Sequence, residues 1–406
     1  MDLEGLLCKY RPVEPNFHKE GAMPKSLFSV QLAVFALVAA AFTNIYLTQP
    51  ILPVLQDEFQ VSTVQVSFTV SGVILGIVMA NLIFGALADR YPIRPILFVG
   101  GICVAAGACV AAWTHDFRVL VGARIFQGLF IPALTTSLAA WLARTLSRDR
   151  LGQVMGAYVS ATVLGGLGGR LLGGFIHPPL HWRYAMVSAG ALILATLALA
   201  LVLLPGREKQ EQKGEGKTSF RALAGRRELW PAFACGAVGL LMFSPVFNYL
   251  PYRLSGPPFG FSTQVVTLIY LVYVVGIFLG PLAGGMAQRH GYGKAMMAGT
   301  LVMGCSLTAL LLPWTWAVVL GLLGICTGFF TIHTVSVGLL NQKLTRGHGK
   351  ANAIYVLVYY AGGWVGITGA GLAFQSWGWS GVIAFVLSFL AIPLVTGWWE
   401  LKKVEN

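Results

Sequence analysis

The chain has 406 residues, 56% of them hydrophobic and 11% charged, with a mean hydropathy of +0.72. A soluble domain carries about 25% charged residues, so this composition excludes a water-facing fold. It points to an all-α membrane protein, since the apolar runs are long and uninterrupted. The net charge of +13 comes from 28 Lys and Arg against 15 Asp and Glu; it collects in short segments between apolar runs, which favours bilayer orientation over nucleic-acid binding.

In chain order, a polar tail (1–26) precedes apolar runs at 27–48, 64–87, 95–113, 118–141, 152–175 and 183–204. A charged segment, 205–229, separates these from runs at 230–250, 262–286, 295–313, 315–340, 351–375 and 378–399, and a short tail (400–406) ends the chain. Each run approaches the roughly 20 residues a helix needs to cross a bilayer. The reading is therefore twelve transmembrane helices in two six-helix units, 27–204 and 230–399, joined by a solvated linker. With the N-terminus cytoplasmic, 23 of the 28 basic residues fall inside and only Arg118, Arg183 and Arg253 outside. That bias places both termini in the cytoplasm. The six Cys show no metal-ligand spacing and read as small buried thiols.

The halves echo each other. Gly85-Ala-Leu-Ala-Asp89-Arg90 after the second run answers Gly284-Gly-Met-Ala-Gln-Arg289 after the eighth. Gly128 answers Gly328, and the glycines of the fifth run (Gly165, Gly169, Gly174) answer Gly362, Gly366 and Gly371 in the eleventh. Repeats joined by a flexible linker suit a transporter whose halves rock about a central cavity.

Three motifs carry a resemblance. Gly85-Ala-Leu-Ala-Asp89-Arg90-Tyr-Pro-Ile-Arg94 follows the second run, Arg124-Ile-Phe-Gln127-Gly128 lies in the fourth, and Gly165-Gly-Leu-Gly-Gly169-Arg170-Leu-Leu-Gly173-Gly174 lies in the fifth. In these the chain resembles the major facilitator superfamily over nearly its whole length, and within it the bacterial twelve-span exporters of the YnfM-like inner-membrane group. Two departures stand out: Pro92 replaces a signature Gly, and Arg170 replaces the signature Pro of the exporters.

The resemblance implies secondary active transport by alternating access in a bacterial inner membrane, as proton-coupled efflux by a monomer, and the span arginines Arg124 and Arg170 with no buried acid favour a small neutral or anionic amphipathic solute or drug. Proton-coupled uptake and a non-transport receptor are the alternatives. No enzyme motif, metal-ligand set or phosphate loop is present, so no catalysis, metal or cofactor is expected. The resemblance also implies a cytoplasmic latch of Gly85, Asp89, Arg90, Arg94 and Arg289 that holds that side shut against the eleventh span; the Asp89 carboxylate can accept from Arg90 or Arg94, or from the exposed amides opening a neighbouring helix.

The residues themselves add candidates. Gly165, Gly169 and Gly173 lie one helical turn apart, as do Gly276, Gly280 and Gly284, and both sets permit close helix approach. Arg124 and Arg170 lie within spans, where a guanidinium needs a partner or a cavity, and with Gln127 they are candidates for substrate charge or coupling. No acidic residue is expected mid-span. Polar and aromatic cavity candidates are Asn44, Tyr46 and Gln49 in the first span, and Phe247, Asn248 and Tyr252 in the seventh. To these the eighth adds Tyr270 and Tyr273, the tenth His333, and the eleventh Tyr355 and Tyr359. His333 reads first as a core histidine with one hydrogen bond.

Overall fold

The computed structural model describes residues 27–146, 148–204, 220–344 and 347–405. The expected tail 1–26 and residues 205–219 of the expected linker lie outside the described residues. No β-strand occurs among the described residues. The first six passes are α1 (Leu27–Tyr46), α2 (Thr63–Arg90), α3 (Ile93–Trp113), α4 (Phe117–Thr145), α5 (Arg148–Ile176) and α6 (Arg183–Leu203). The second six begin with α7 (Trp230–Ser255), α8 (Thr263–His290), α9 (Tyr292–Ala309) and α10 (Thr315–Gln342). Then α11 and α12 share one hydrogen-bonded run, His348–Leu387, which folds back at Gly378, and α12 resumes at Ala391–Glu405. At Gly378 φ is 58° and ψ −145°, a conformation that a side chain would oppose.

Local chemistry explains where passes begin and end. Ser62 caps α2 by accepting from the Gln65 N–H at 3.2 Å, while Gln65 Oε1 accepts from the Ser62 N–H at 2.9 Å. Ser262 caps α8 in the same way at the matching place in the second half; this echo is a repeat signal that the glycine matches did not include. Two boundaries differ from the expectation. The loop after the first run is helical, with a 3-10 turn at Gln49–Ile51 leading into Leu52–Phe59, and Glu58 there takes bonds from Trp182 and Arg183 at the start of α6. The ninth pass is Tyr292–Ala309 rather than 295–313, because tight turns at Leu311 and Leu312 precede Pro313, whose ring disfavours a helical residue before it.

Each half has its own apolar core. Small residues bring its helices together. A Cβ at Gly165, Gly169 or Gly173 of α5 would strike the backbone oxygen of Ala39 or Thr43 on α1 or of Leu47 just past its end. A Cβ at Gly362 or Gly366 of α11 would likewise strike Ala237 or Leu241 on α7. The glycine stripes therefore seat the same pair of passes in both bundles. Gly276, Gly280 and Gly284 of α8 face Phe330 and Thr334 of α10, again within one bundle. The cysteines are less uniform than expected: Cys235 and Cys326 are buried, Cys103 is half-buried, and Cys109 and Cys305 are exposed on the helix exterior, where lipid replaces water as the apolar surrounding.

The halves meet along two seams. Val163 and Leu167 of α5 join the second core, and Ile367 of α11 joins the first. So α5 lies against α8, and α11 against α2.

Candidate functional site

The seam between α5 and α8 holds the most unusual group in the molecule. Arg170 is 1% exposed, and among the described residues it forms no ion pair. Its Nε donates to Gln49 Oε1 at 2.8 Å and its Nη1 to the Gly166 carbonyl at 2.7 Å. Four rings enclose the guanidinium: Tyr46 at 4.4 Å and Tyr273 at 4.5 Å from ring centre to Cζ, Tyr270 at 5.4 Å and Phe247 at 5.7 Å. Gln49, Gly166 and Tyr46 belong to the first half and the other three rings to the second, so one cation ties the halves together. Desolvated cation–π contacts are worth about 2 kcal/mol, which offsets part of the cost of burying the charge.

Two local features build this cage. α8 passes through a 3-10 stretch, Tyr270–Val275, in which residues three apart eclipse one another. Tyr270 and Tyr273 therefore present their rings on the same side. On α5, a Cβ at Gly166 would lie 3.3 Å from both Arg170 Nη1 and the Tyr46 ring, so glycine there leaves room for the stack. Further along the seam Gly174 abuts Thr267. On the other seam Tyr249 of α7 donates to the Ile367 carbonyl at 2.9 Å and lies 3.1 Å from Ser67 Oγ on α2. These contacts close the half of the molecule bearing Asp57, Glu58 and Asp116, here called the acidic end.

Beneath the Arg170 cage lies a cavity of about 70 Å³. The first half lines it with Phe42, Tyr46, Val159 and Thr162, the second with Tyr273, Phe330, His333, Tyr359 and Tyr360. His333 is half-buried, with Nδ1 at 2.9 Å from Tyr355 Oη and its ring between those of Phe329 and Tyr359. Toward the opposite, basic end there is open space beside single residues of the two halves. A Cβ at Gly156 of α5 or Gly285 of α8 would meet nothing within 4 Å. No Asp or Glu occurs between Glu228 and Glu400, so the second-half wall of the cavity carries no acid.

Arg124 behaves differently. It is fully buried inside the first bundle, where Nε donates to the Thr69 carbonyl at 2.8 Å and Nη1 to Gln127 Oε1 at 2.7 Å. Its Nη2 donates to the carbonyls of Asn44 at 2.7 Å and Ile45 at 2.9 Å. Gln127 passes the network on to the Val104 carbonyl at 3.1 Å, and Asn44 donates to the Ala189 carbonyl at 3.3 Å. The knot ties five helices of one bundle and lies away from the cavity. The second half has Gly324 where the repeat puts Arg124, and there the amide of Asn248 is buried with neither its oxygen nor its nitrogen hydrogen-bonded.

The remaining candidates fall into separate places. Tyr46, Tyr273 and His333 reach the cavity, Tyr355 backs His333, and Gln49 lies under Arg170, while Asn44 and Asn248 are interior to their bundles. At the basic end Asp89 is 66% exposed and pairs with Arg144 at 3.4 Å, not with Arg90 or Arg94. Arg94 instead donates to the Leu201 carbonyl, because the turn at Tyr91-Pro92 aims it along the bundle toward α6. Gly85 faces Thr136 of α4, and Arg289 is exposed at the end of α8. In this conformation the Asp89 pair is within the first half and does not reach α11. Sequence reading did not find Tyr360, Phe329 and Phe330 as part of the cavity region, since aromatic residues in a span look alike whether they face lipid or a cavity.

Comparison with known proteins agrees with this architecture. Residues 34–280 match the Major Facilitator Superfamily. The inner membrane transport protein YnfM of Escherichia coli is 30% identical over 393 residues, covering 95% of this chain and 93% of that protein. The uncharacterized MFS-type transporter YybF of Bacillus subtilis is 26% identical over 380 residues, covering 93% of this chain and 94% of that protein. Among solved structures, a bacterial homologue of the human lysosomal transporter Spinster, in an inward-facing and unoccupied conformation, superimposes with a TM-score of 0.75 at 12% identity, covering 94% of this chain and 99% of that one. Twelve helices in two like bundles, a cavity on the seam between them and an alignment that runs nearly end to end have one reading: this chain belongs to the Major Facilitator Superfamily and is a multi-pass membrane transporter.

Proposed function

We propose that the chain moves a small amphipathic solute, neutral or anionic, across a bacterial inner membrane by alternating access coupled to protons. The moving bodies are the units 27–204 and 230–399, linked through 205–229, in a monomer with both termini cytoplasmic. The observation that carries the reading is the seam, held at the acidic end around Arg170, with an aromatic cavity beneath it lined from both halves. The basic end is then the cytoplasmic one by its Lys and Arg content. The aromatic walls supply apolar contact. Arg170, unpaired by any acid, sets the charge preference, since a cation approaching it meets repulsion as well as desolvation.

A separate observation attaches to each direction of transport. The span-five glycine signature resembles that of exporters and favours efflux by proton antiport. Antiport, however, works most simply when proton and solute compete for one acid, and the cavity wall offers none. Arg170, at the position of the exporters' Pro, favours uptake of an anion with protons. Proteoliposomes loaded with a panel of organic acids, bases and neutral amphiphiles test both. The expected result is flux of acids or neutral compounds that depends on a pH gradient, with the sign of the gradient giving the direction. A quaternary ammonium as best substrate would count against the charge argument.

A further inference from the structure

The cavity wall holds one imidazole, that of His333, and its surroundings leave one ring nitrogen bonded and the other free. We infer that His333 is a proton-binding site of the cavity and takes its proton together with an anionic solute, an inference that rests on the anionic reading of that cavity. His333 Nδ1 lies 2.9 Å from Tyr355 Oη, and the same hydroxyl lies 3.5 Å from the His333 carbonyl. The hydroxyl can therefore accept from Nδ1–H while directing its own hydrogen to the carbonyl. Nε2 has no hydrogen-bond partner among the described residues and belongs to a half-buried ring on the cavity wall. In that tautomer its lone pair faces the cavity, and a proton delivered by water adds there without breaking the Tyr355 bond. A core histidine serving only packing needs no open nitrogen.

The groups around His333 decide the sign of coupling. From α11 it meets Tyr355 and Tyr359, Tyr273 of α8 and Tyr46 of α1 line the same cavity, and among the described residues Arg170 of α5 supplies the permanent charge, behind the last two rings. α10 itself contributes no acid or base besides His333, and α7 contributes none to this wall. With no carboxylate present, a proton on His333 adds a second positive charge to a site that already has one. An anion in the cavity lowers that cost, so proton and anion bind together, and by linkage each strengthens the other by the same factor. A competing arrangement would require an acid that solute and proton exchange over. At a separation of several ångströms in a partly wet cavity, the mutual effect is about one pH unit, or about tenfold in affinity.

The test uses the full chain in nanodiscs with isotope-labelled histidine, the His333 ring signal being identified by its loss in H333Q. The protein has seven histidines, so the difference spectrum is needed. The His333 ring should take up a proton on acidification, and Y355F should displace its midpoint. Benzoate, added as an amphipathic anionic probe, should raise the midpoint by about one unit in the wild type and much less in R170Q. A ring that takes up no proton on acidification even with benzoate bound overturns the proton site. A midpoint that falls or stays fixed when benzoate is bound overturns the joint binding. Benzoate binding is followed separately by tryptophan and tyrosine fluorescence; if no organic acid binds at all, the anionic reading of the cavity fails, and that failure is distinct from the titration result.

Discussion

Two arginines that look alike in sequence do different work. Arg124 spends its donors on three backbone carbonyls and Gln127 inside one bundle. Replacing it with Gln strips the Asn44 and Ile45 carbonyls and Gln127 Oε1 of this donor in the bundle interior, at about 1–3 kcal/mol for each group left unmet before relaxation. R124Q should therefore lower the melting temperature of the detergent-solubilised protein by many degrees. Arg170 satisfies only Gln49 and one carbonyl, and its remaining partners are rings. R170Q should keep most of the fold, weaken anion binding and loosen the seam at the acidic end. A thermal-shift comparison separates the two, and an equal loss in both variants would remove the distinction. Tyr249 offers a smaller test of the other seam. Y249F deletes its bond to the Ile367 carbonyl and its contact with Ser67, worth about 1–2 kcal/mol together, and should increase labelling of a cysteine placed at Ser67 from the acidic side.

Among the elements, α5 bears the tightest geometric demands. Its glycines lie directly against the carbonyls of α1, and the same arrangement recurs between α11 and α7. G169A drives a methyl into the Thr43 backbone, where no flexible side chain can yield, and costs of the order of 1–3 kcal/mol by overpacking. G156A, on the same helix but with open space around it, should be neutral or slightly stabilising. Yields of monodisperse protein in size-exclusion chromatography should rank wild type and G156A above G169A. The 3-10 stretch of α8 is the second demanding element, because it alone aligns Tyr270 with Tyr273. This shift is absent from α2, its counterpart, which is continuous α-helix.

For the molecule as a whole, the question is how the two bundles change places. The acidic end is held by the Arg170 cage and the Tyr249 bonds, and both must release for that end to open. At the basic end the exposed Asp89–Arg144 pair contributes at most about 1 kcal/mol in the present conformation. If Asp89 serves as a latch, its strong contacts form only after the halves close there. D89N should then leave melting temperature nearly unchanged yet raise maleimide labelling at G156C from the cytoplasmic side, because the closed-inside state has lost its anion. Unchanged labelling together with unchanged transport would remove Asp89 from the cycle.

Hydropathy and charge pointed to the all-helical fold, the twelve passes and the expected orientation, because lipid forces every backbone polar group into helices and makes charge rare enough to count, while matching glycines and the Arg90–Arg289 echo pointed to the two-fold repeat. The motif glycines were also legible, since only small residues allow helix backbones to touch. The partners were not. Nothing in the spacing distinguishes Arg124, sealed in a knot of carbonyls, from Arg170, caged between bundles, because the difference lies in which helices stand opposite each residue. Nor does it tell that Asp89 pairs with Arg144, that Gly378 turns α11 into α12, or that α8 tightens to bring two tyrosines onto one cation. Those outcomes depend on the rotation and depth of each helix against its neighbours, and packing in three dimensions sets them.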